Sequence, residues 1–98
     1  MKKGGGRIQR LEYRRLERTV RGFSNHRRIQ MLELLSEKPE LSVIEIAKEL
    51  NINFKTAAEH IRRLAITGLV MKRSDYKSVR HKLTPRGETI LMFLRTLE

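Results

Sequence analysis

Asn53 to Val70, NFKTAAEHIRRLAITGLV, is the stretch that most narrows what this chain can become, because it encodes one helix with two unlike faces and a marked start and stop. Asn53 suits an N-cap, since its side-chain carbonyl can accept from the N–H groups that open a helix. Gly68 suits the left-handed residue just past the end. Ala57, Ile61 and Leu64 recur at four- and three-residue steps and so share a side, flanked by Phe54 and Ala65. Lys55, Glu59, Arg62 and Ile66 project the opposite way, with Thr56 and Arg63 beside them. The buried side is narrow and begins with alanine, so the helix can lie close to a neighbour while holding a mostly cationic ridge outward. A B-DNA major groove, about 12 Å wide, admits a helix of that kind.

Charge points the same way. The formal net charge is +11 over 98 residues. Residues 1–28 carry ten Lys/Arg against two Glu, residues 29–50 two Lys against five Glu, and residues 51–98 ten Lys/Arg against four acids. Positive charge thus avoids one internal segment and gathers on either side of it. A polyanion partner follows, nucleic acid being the commonest, with a merely solubilising surface as the alternative. Without cysteine there is no disulfide and no thiolate metal site. No apolar run approaches the roughly 20 residues that span a bilayer, and MKKGGGRIQR lacks the apolar stretch of a signal peptide. The expectation is a soluble cytoplasmic protein, nucleoid-associated, with no membrane partner. No nucleophile with a base, glycine-rich phosphate loop or carboxylate pair marks an enzyme. His26, His60 and His81 show no metal-ligand spacing, so neither metal nor cofactor is expected.

The remaining segments fit around the central helix as one domain over 7–98. Residues 1–6, with three successive glycines, read as a flexible basic arm or a frayed end. Residues 7–22 form an amphipathic helix with an apolar stripe of Ile8, Leu11, Leu16, Val20 and Phe23, ended by Gly22. Residues 24–83 hold the core and a hairpin. Ser24 or Asn25 caps a helix to about Glu37 whose Ile29, Met31, Leu32, Leu34 and Leu35 make it the core helix, stopped by Lys38-Pro39. Ser42-Val43-Ile44-Glu45 is a capping box, and the helix it opens turns Val43, Ile46, Ala47 and Leu50 inward. Asn51 suits a left-handed turn. Val70–Arg73 and Val79–Leu83 flank a polar turn and read as a β-hairpin with a positive tip. Thr84-Pro85 opens a last helix over 84–98, whose Ile90, Leu91, Phe93, Leu94 and Leu97 make a wider apolar side than one small core needs. That surplus, with the stripe near the amino terminus, calls for a second surface.

Three helices, a two-stranded hairpin and a final helix follow the winged helix-turn-helix order: mainly α with a small β-hairpin, extended by an N-terminal and a C-terminal helix. The words resemble that fold too. Arg28-Ile29-Gln30-Met31-Leu32-Glu33-Leu34-Leu35 is similar to the first-helix signature of ArsR-like transcriptional repressors. Leu41 to Leu50 resembles their supporting helix, Thr56 to Leu64 with Gly68-Leu69-Val70 their recognition helix and its exit, and Leu83-Thr84-Pro85-Arg86-Gly87 the LT-x-x-G that closes the wing. Family wings often carry glycine at the tip, where this chain has Asp75-Tyr76-Lys77. The resemblance covers about residues 24–92. It implies a homodimeric transcriptional regulator that binds double-stranded DNA, recognition helix in the major groove and wing on the backbone. A winged helix used for protein assembly and a non-specific chromatin or RNA binder are the alternatives.

Candidate base contacts are Lys55, Thr56, Glu59 and Arg62, since Arg pairs with guanine and Glu accepts from cytosine N4. The alternative for these is a solvated face with Glu59 paired to Arg62 or Arg63. Arg63, Lys72, Arg73, Lys77, Arg80 and Lys82 are candidates for the phosphate backbone, which positions without specifying. The candidate dimer interface is Ile8, Leu11, Leu16, Val20, Ile90, Phe93, Leu94 and Leu97. His60 is expected to be a core or backbone-bonded histidine, Ile66 to lie under the wing, and Tyr76 to touch DNA or to pack at the wing tip.

Overall fold

The computed structural model describes residues 6–10 and 12–98. Its elements are α1 (Glu12–Phe23), α2 (His26–Glu37), α3 (Val43–Leu50), α4 (Phe54–Ile66), β1 (Val70–Ser74), β2 (Val79–Leu83) and α5 (Pro85–Arg95). Residues 1–5 of the expected arm and Leu11 of the expected stripe lie outside the described residues.

The caps explain the boundaries. Asn25 accepts from the N–H groups of Arg27 and Arg28 at the start of α2. Ser42 and Glu45 form the reciprocal box at α3, which ends with Asn51 in the left-handed region at φ 55°. Asn53 accepts from Lys55 and Thr56 at α4, and Gly68 follows at φ 79°. Thr84 accepts from Gly87 at α5, with Pro85 in the first turn. Each side chain takes up a donor that the first helical turn leaves unpaired.

Met31, Leu32, Leu35, Ile46, Leu64 and Leu69 are fully buried and define a core centred on α2, as its sequence requires. Burying each such side chain contributes about 1.5–3 kcal/mol before entropy is subtracted. The two strands pair antiparallel, Val70 opposite Leu83 and Lys72 opposite His81. Leu41 adds a bridge to His81, so the wing is rooted against the loop between α2 and α3. Arg95 meets Glu33 at 2.8 Å and ties α5 to α2.

Two glycines mark the tightest packing. A Cβ on Gly22 would lie 2.5 Å from the Thr67 side chain, so glycine lets α1 close onto the end of α4. A Cβ on Gly87 would run into the Leu69 carbonyl oxygen. Thr84 Oγ1 donates to the Gly68 carbonyl at 2.6 Å. The LT-x-x-G sequence therefore clamps the start of α5 to the exit of α4.

The expected first helix differs at both ends. It begins at Glu12 rather than Arg7, and it runs through Gly22 to Phe23 rather than stopping at the glycine. Gly22 is used for close approach to α4, and burial of Phe23 holds the last turn. No described helix is long and apolar enough to cross a membrane.

Candidate nucleic-acid interface

The buried side of α4 consists of Ala57, Ile61 and Leu64, and Lys55, Thr56, Glu59, Arg62 and Arg63 are all exposed. The helix is backed by the core along one side and open along the other. Glu59 binds its neighbours. Arg62 donates to both its oxygens, at 3.3 and 3.1 Å, and Arg63 Nε donates at 3.3 Å. These bonds, Arg62 first, hold the Glu59 carboxyl below the usual carboxylate range. The cationic ridge is thus partly neutralised from within, and Lys55 stands without an acid partner among the described residues.

His60 is neither a core histidine nor backbone-bonded. It is half-buried, with Nδ1 3.2 Å from Arg28 Nη1. Burial, and then the Arg28 charge, push the imidazole below its ordinary pKa. Arg28 donates, so Nδ1 accepts and the ring is neutral. The Arg28 Nε is buried with no hydrogen-bond partner, and burial followed by Arg63 weakens the affinity of Arg28 for its proton. The core histidine is His81, 2% exposed. Its Nδ1 lies 2.9 Å from the Leu41 carbonyl, which only accepts, so Nδ1 carries the hydrogen.

The six backbone candidates divide. Arg73 meets Glu40 at 2.7 Å. Arg80 donates to the Glu40 carbonyl at 2.9 Å and lies 3.6 Å from both Glu45 and Asp75. Glu40 itself sits at φ 70°, a left-handed position unusual for glutamate, inside this knot. Lys72, Lys77 and Lys82 are exposed and make no ion pair among the described residues. Lys72 shares the inner face of the hairpin with His81, and beside Arg62 and Ala58 it lines a cleft of about 290 Å³ between wing and α4.

The wing tip manages without glycine because Asp75 shapes it. One Asp75 oxygen accepts the N–H groups of Lys77 and Ser78, both at 2.9 Å, forming an Asx-type turn. Those backbone bonds, Ser78 first, lower the Asp75 pKa. Tyr76 is 97% exposed at the tip and packs against nothing. Ile66 is 67% exposed and lies beside α1, not beneath the wing.

Of the candidate dimer residues, Ile8, Leu16, Val20, Phe93 and Leu97 are exposed, whereas Ile90 and Leu94 are half-buried against the core. Exposed Tyr13 and Met92 extend these patches. Tyr13 was missed because its hydroxyl masks a place on the Leu16–Val20 side of α1. Phe54, at the first position of α4, is open to solvent, although its spacing placed it beside the buried side. No group of three metal-binding side chains occurs among the described residues.

A family model described as winged helix-turn-helix DNA-binding matches residues 24–71. No curated protein matches the chain. Solved structures do. A winged helix-turn-helix DNA-binding domain from Mycobacterium bovis, Mb0332, described as homodimeric and a possible ArsR-family transcriptional regulator, superposes with TM-score 0.81 at 23% identity, over 95% of this chain and 88% of that one. HlyU from Vibrio cholerae gives TM-score 0.78 at 24% identity, over 91% and 97%. HlyU from Vibrio vulnificus gives 0.71 at 25% identity, over 89% and 91%.

Proposed function

We propose that this chain, whose residues 24–71 match a winged helix-turn-helix DNA-binding model and whose fold is shared by the transcriptional regulator HlyU of Vibrio vulnificus, acts as a homodimeric transcriptional regulator on specific double-stranded sites. One observation carries the proposal: Lys55, Thr56, Glu59 and Arg62 are all solvent-exposed on a helix whose far side is completely buried. In this reading α4 enters the major groove. Lys55 is poised for a purine edge, and the Glu59–Arg62–Arg63 cluster opens when bases or phosphates replace its internal bonds. Glu59 repels phosphate, so misplaced registers are penalised. Lys72, Lys77 and Lys82 rest on the backbone.

The exposed apolar patches on α1 and α5 supply a second-copy surface, and the similar Mb0332 domain is described as homodimeric. A C2 pair would set two recognition helices about 34–36 Å apart on one face of the duplex. Selection from random duplex DNA tests the whole proposal. An inverted repeat with half-sites about 10–10.5 bp apart is the expected product. Strong binding with no recovered motif would instead mark a non-specific DNA coat. No binding at all would leave the protein-assembly alternative.

A further inference from the structure

The recognition helix has a second cationic flank that the wing does not supply. Between α1 and the C-terminal half of α4 lies an open cleft of about 280 Å³. Arg18 and Arg21 form one wall, Arg62 and Arg63 the other, and exposed Ile66 lines it between them. Among the described residues no carboxylate lines it, although Glu59 reaches Arg62 and Arg63 from outside. Arg18 has no acid partner among the described residues, and Arg21 has only an exposed contact with Glu17 at 3.5 Å.

Helical geometry sets its direction. At about 100° per residue, Ile66 continues the line of Lys55, Glu59 and Arg62, so the cleft opens on the ridge side of α4. On α1 the same rule puts Arg18 about 200° from Leu16. The arginine edge and the apolar edge therefore flank the Gly22 contact on opposite sides, and a second copy docked on Leu16 and Val20 leaves the arginines open. Across α4, Ala58 and Arg62 border the wing, whereas Thr67 borders α1.

We propose that Arg18 and Arg21 grip DNA phosphates on the flank of the recognition helix opposite the wing, so that α1 serves as a second clamp on the duplex. The inference rests on the DNA-binding reading above. Charge complementarity and continuity with the recognition ridge identify the occupant as a phosphate strand, with Ile66 offering an apolar surface to a deoxyribose. It also gives a use to two of the ten basic residues in 1–28, both of which lie outside the helix-turn-helix and the wing.

The test is the salt dependence of binding to a labelled 30-bp duplex of mixed sequence, followed by fluorescence anisotropy, since phosphate contacts do not depend on sequence. Arg18→Ala with Arg21→Ala should flatten the slope of log K against log salt by about 2 per engaged protomer. Arg18→Lys with Arg21→Lys should keep it. Arg7→Ala with Arg10→Ala removes the same charge outside the cleft and should change it by less than half as much. An unchanged slope in the first variant, with wild-type binding intact, overturns the clamp alone. Equal losses in the first and third variants overturn it too, leaving only a general dependence on charge. Absence of wild-type binding to any duplex removes the underlying reading as well.

Discussion

The wing root and the α1–α4 cleft are both rich in arginine, and they use it in opposite ways. At the wing root Arg73 and Arg80 are spent on Glu40, Glu45 and Asp75 and on the Glu40 carbonyl. The cations there fix the angle of a hairpin that has little core of its own. In the cleft, Arg18 and Arg21 face Arg62 and Arg63 with no carboxylate lining the gap. Glu59 pairs with Arg62 and Arg63, and Glu17 with Arg21, from outside the gap, so the four like charges facing one another are only partly relieved. The same residue type thus acts as mortar in one place and, in the reading proposed above, as a grip for phosphate in the other. Counting basic residues along the chain cannot separate the two.

The largest expected effect falls between those regions, on the ridge they flank. Lys55→Ala with Arg62→Ala should weaken binding to a selected site by about 2–6 kcal/mol, at roughly 1–3 kcal/mol for each base contact, and should relax base preference. Loss of affinity with base preference intact would reduce both residues to phosphate contacts. Next comes the junction that brings α1 to α4. Gly22→Ala drives a methyl into Thr67, whose hydroxyl is held by the Arg63 and Leu64 carbonyls. Such overpacking should cost about 1–3 kcal/mol in a denaturant melt and should also flatten the salt slope, because the arginine wall moves. A melt unchanged by this substitution would show that the junction yields freely. At the wing root, Arg80→Ala should cost about 1–2 kcal/mol through its carbonyl bond and ion pairs. The salt slope should scarcely move. If Arg80→Ala flattens the slope as much as the Arg18/Arg21 pair does, the contrast between mortar and grip fails.

The fold was legible because its boundaries are local chemistry. Asn53, Ser42, Thr84 and Gly68 act within a few residues of themselves, and the structure uses each as the sequence implies. What the sequence hid was long-range. Gly22 reads as a helix stop from its neighbours alone, and its purpose appears only when Thr67 arrives from 45 positions away. His81 sits in a strand pattern that assigns it no role, and it is buried because Leu41 bridges to it. Which wing arginines are occupied depends on Glu40, far off in sequence and held at an uncommon backbone angle. The candidate base readers needed only helical periodicity to share a face. The internal pairing of Glu59 was visible too, being a three- and four-residue spacing.

The smallest effect tests the two regions by pH. In the wing, Asp75 has its carboxyl pKa lowered, so its contribution is present above about pH 4 and is lost as pH falls through the folded value. Behind α4, His60 is also lowered, by burial first and Arg28 second, with His26 and Arg27 adding to the fall and Glu59 opposing it. A folded state that holds its proton less tightly than the unfolded chain loses stability as pH drops. The His60 contribution is therefore complete above about pH 6.5 and declines below it. Acid should loosen the α4 side first, while the Asx turn of the wing survives to lower pH. Proton NMR should show the His60 ring titrating below the ordinary histidine range before the Lys77 and Ser78 amides shift. Arg28→Gln should raise the His60 midpoint only partly, since burial is the larger cause and remains. A midpoint at or above the ordinary value in the intact protein would mean that neither the burial of His60 nor its contact with Arg28 persists in solution.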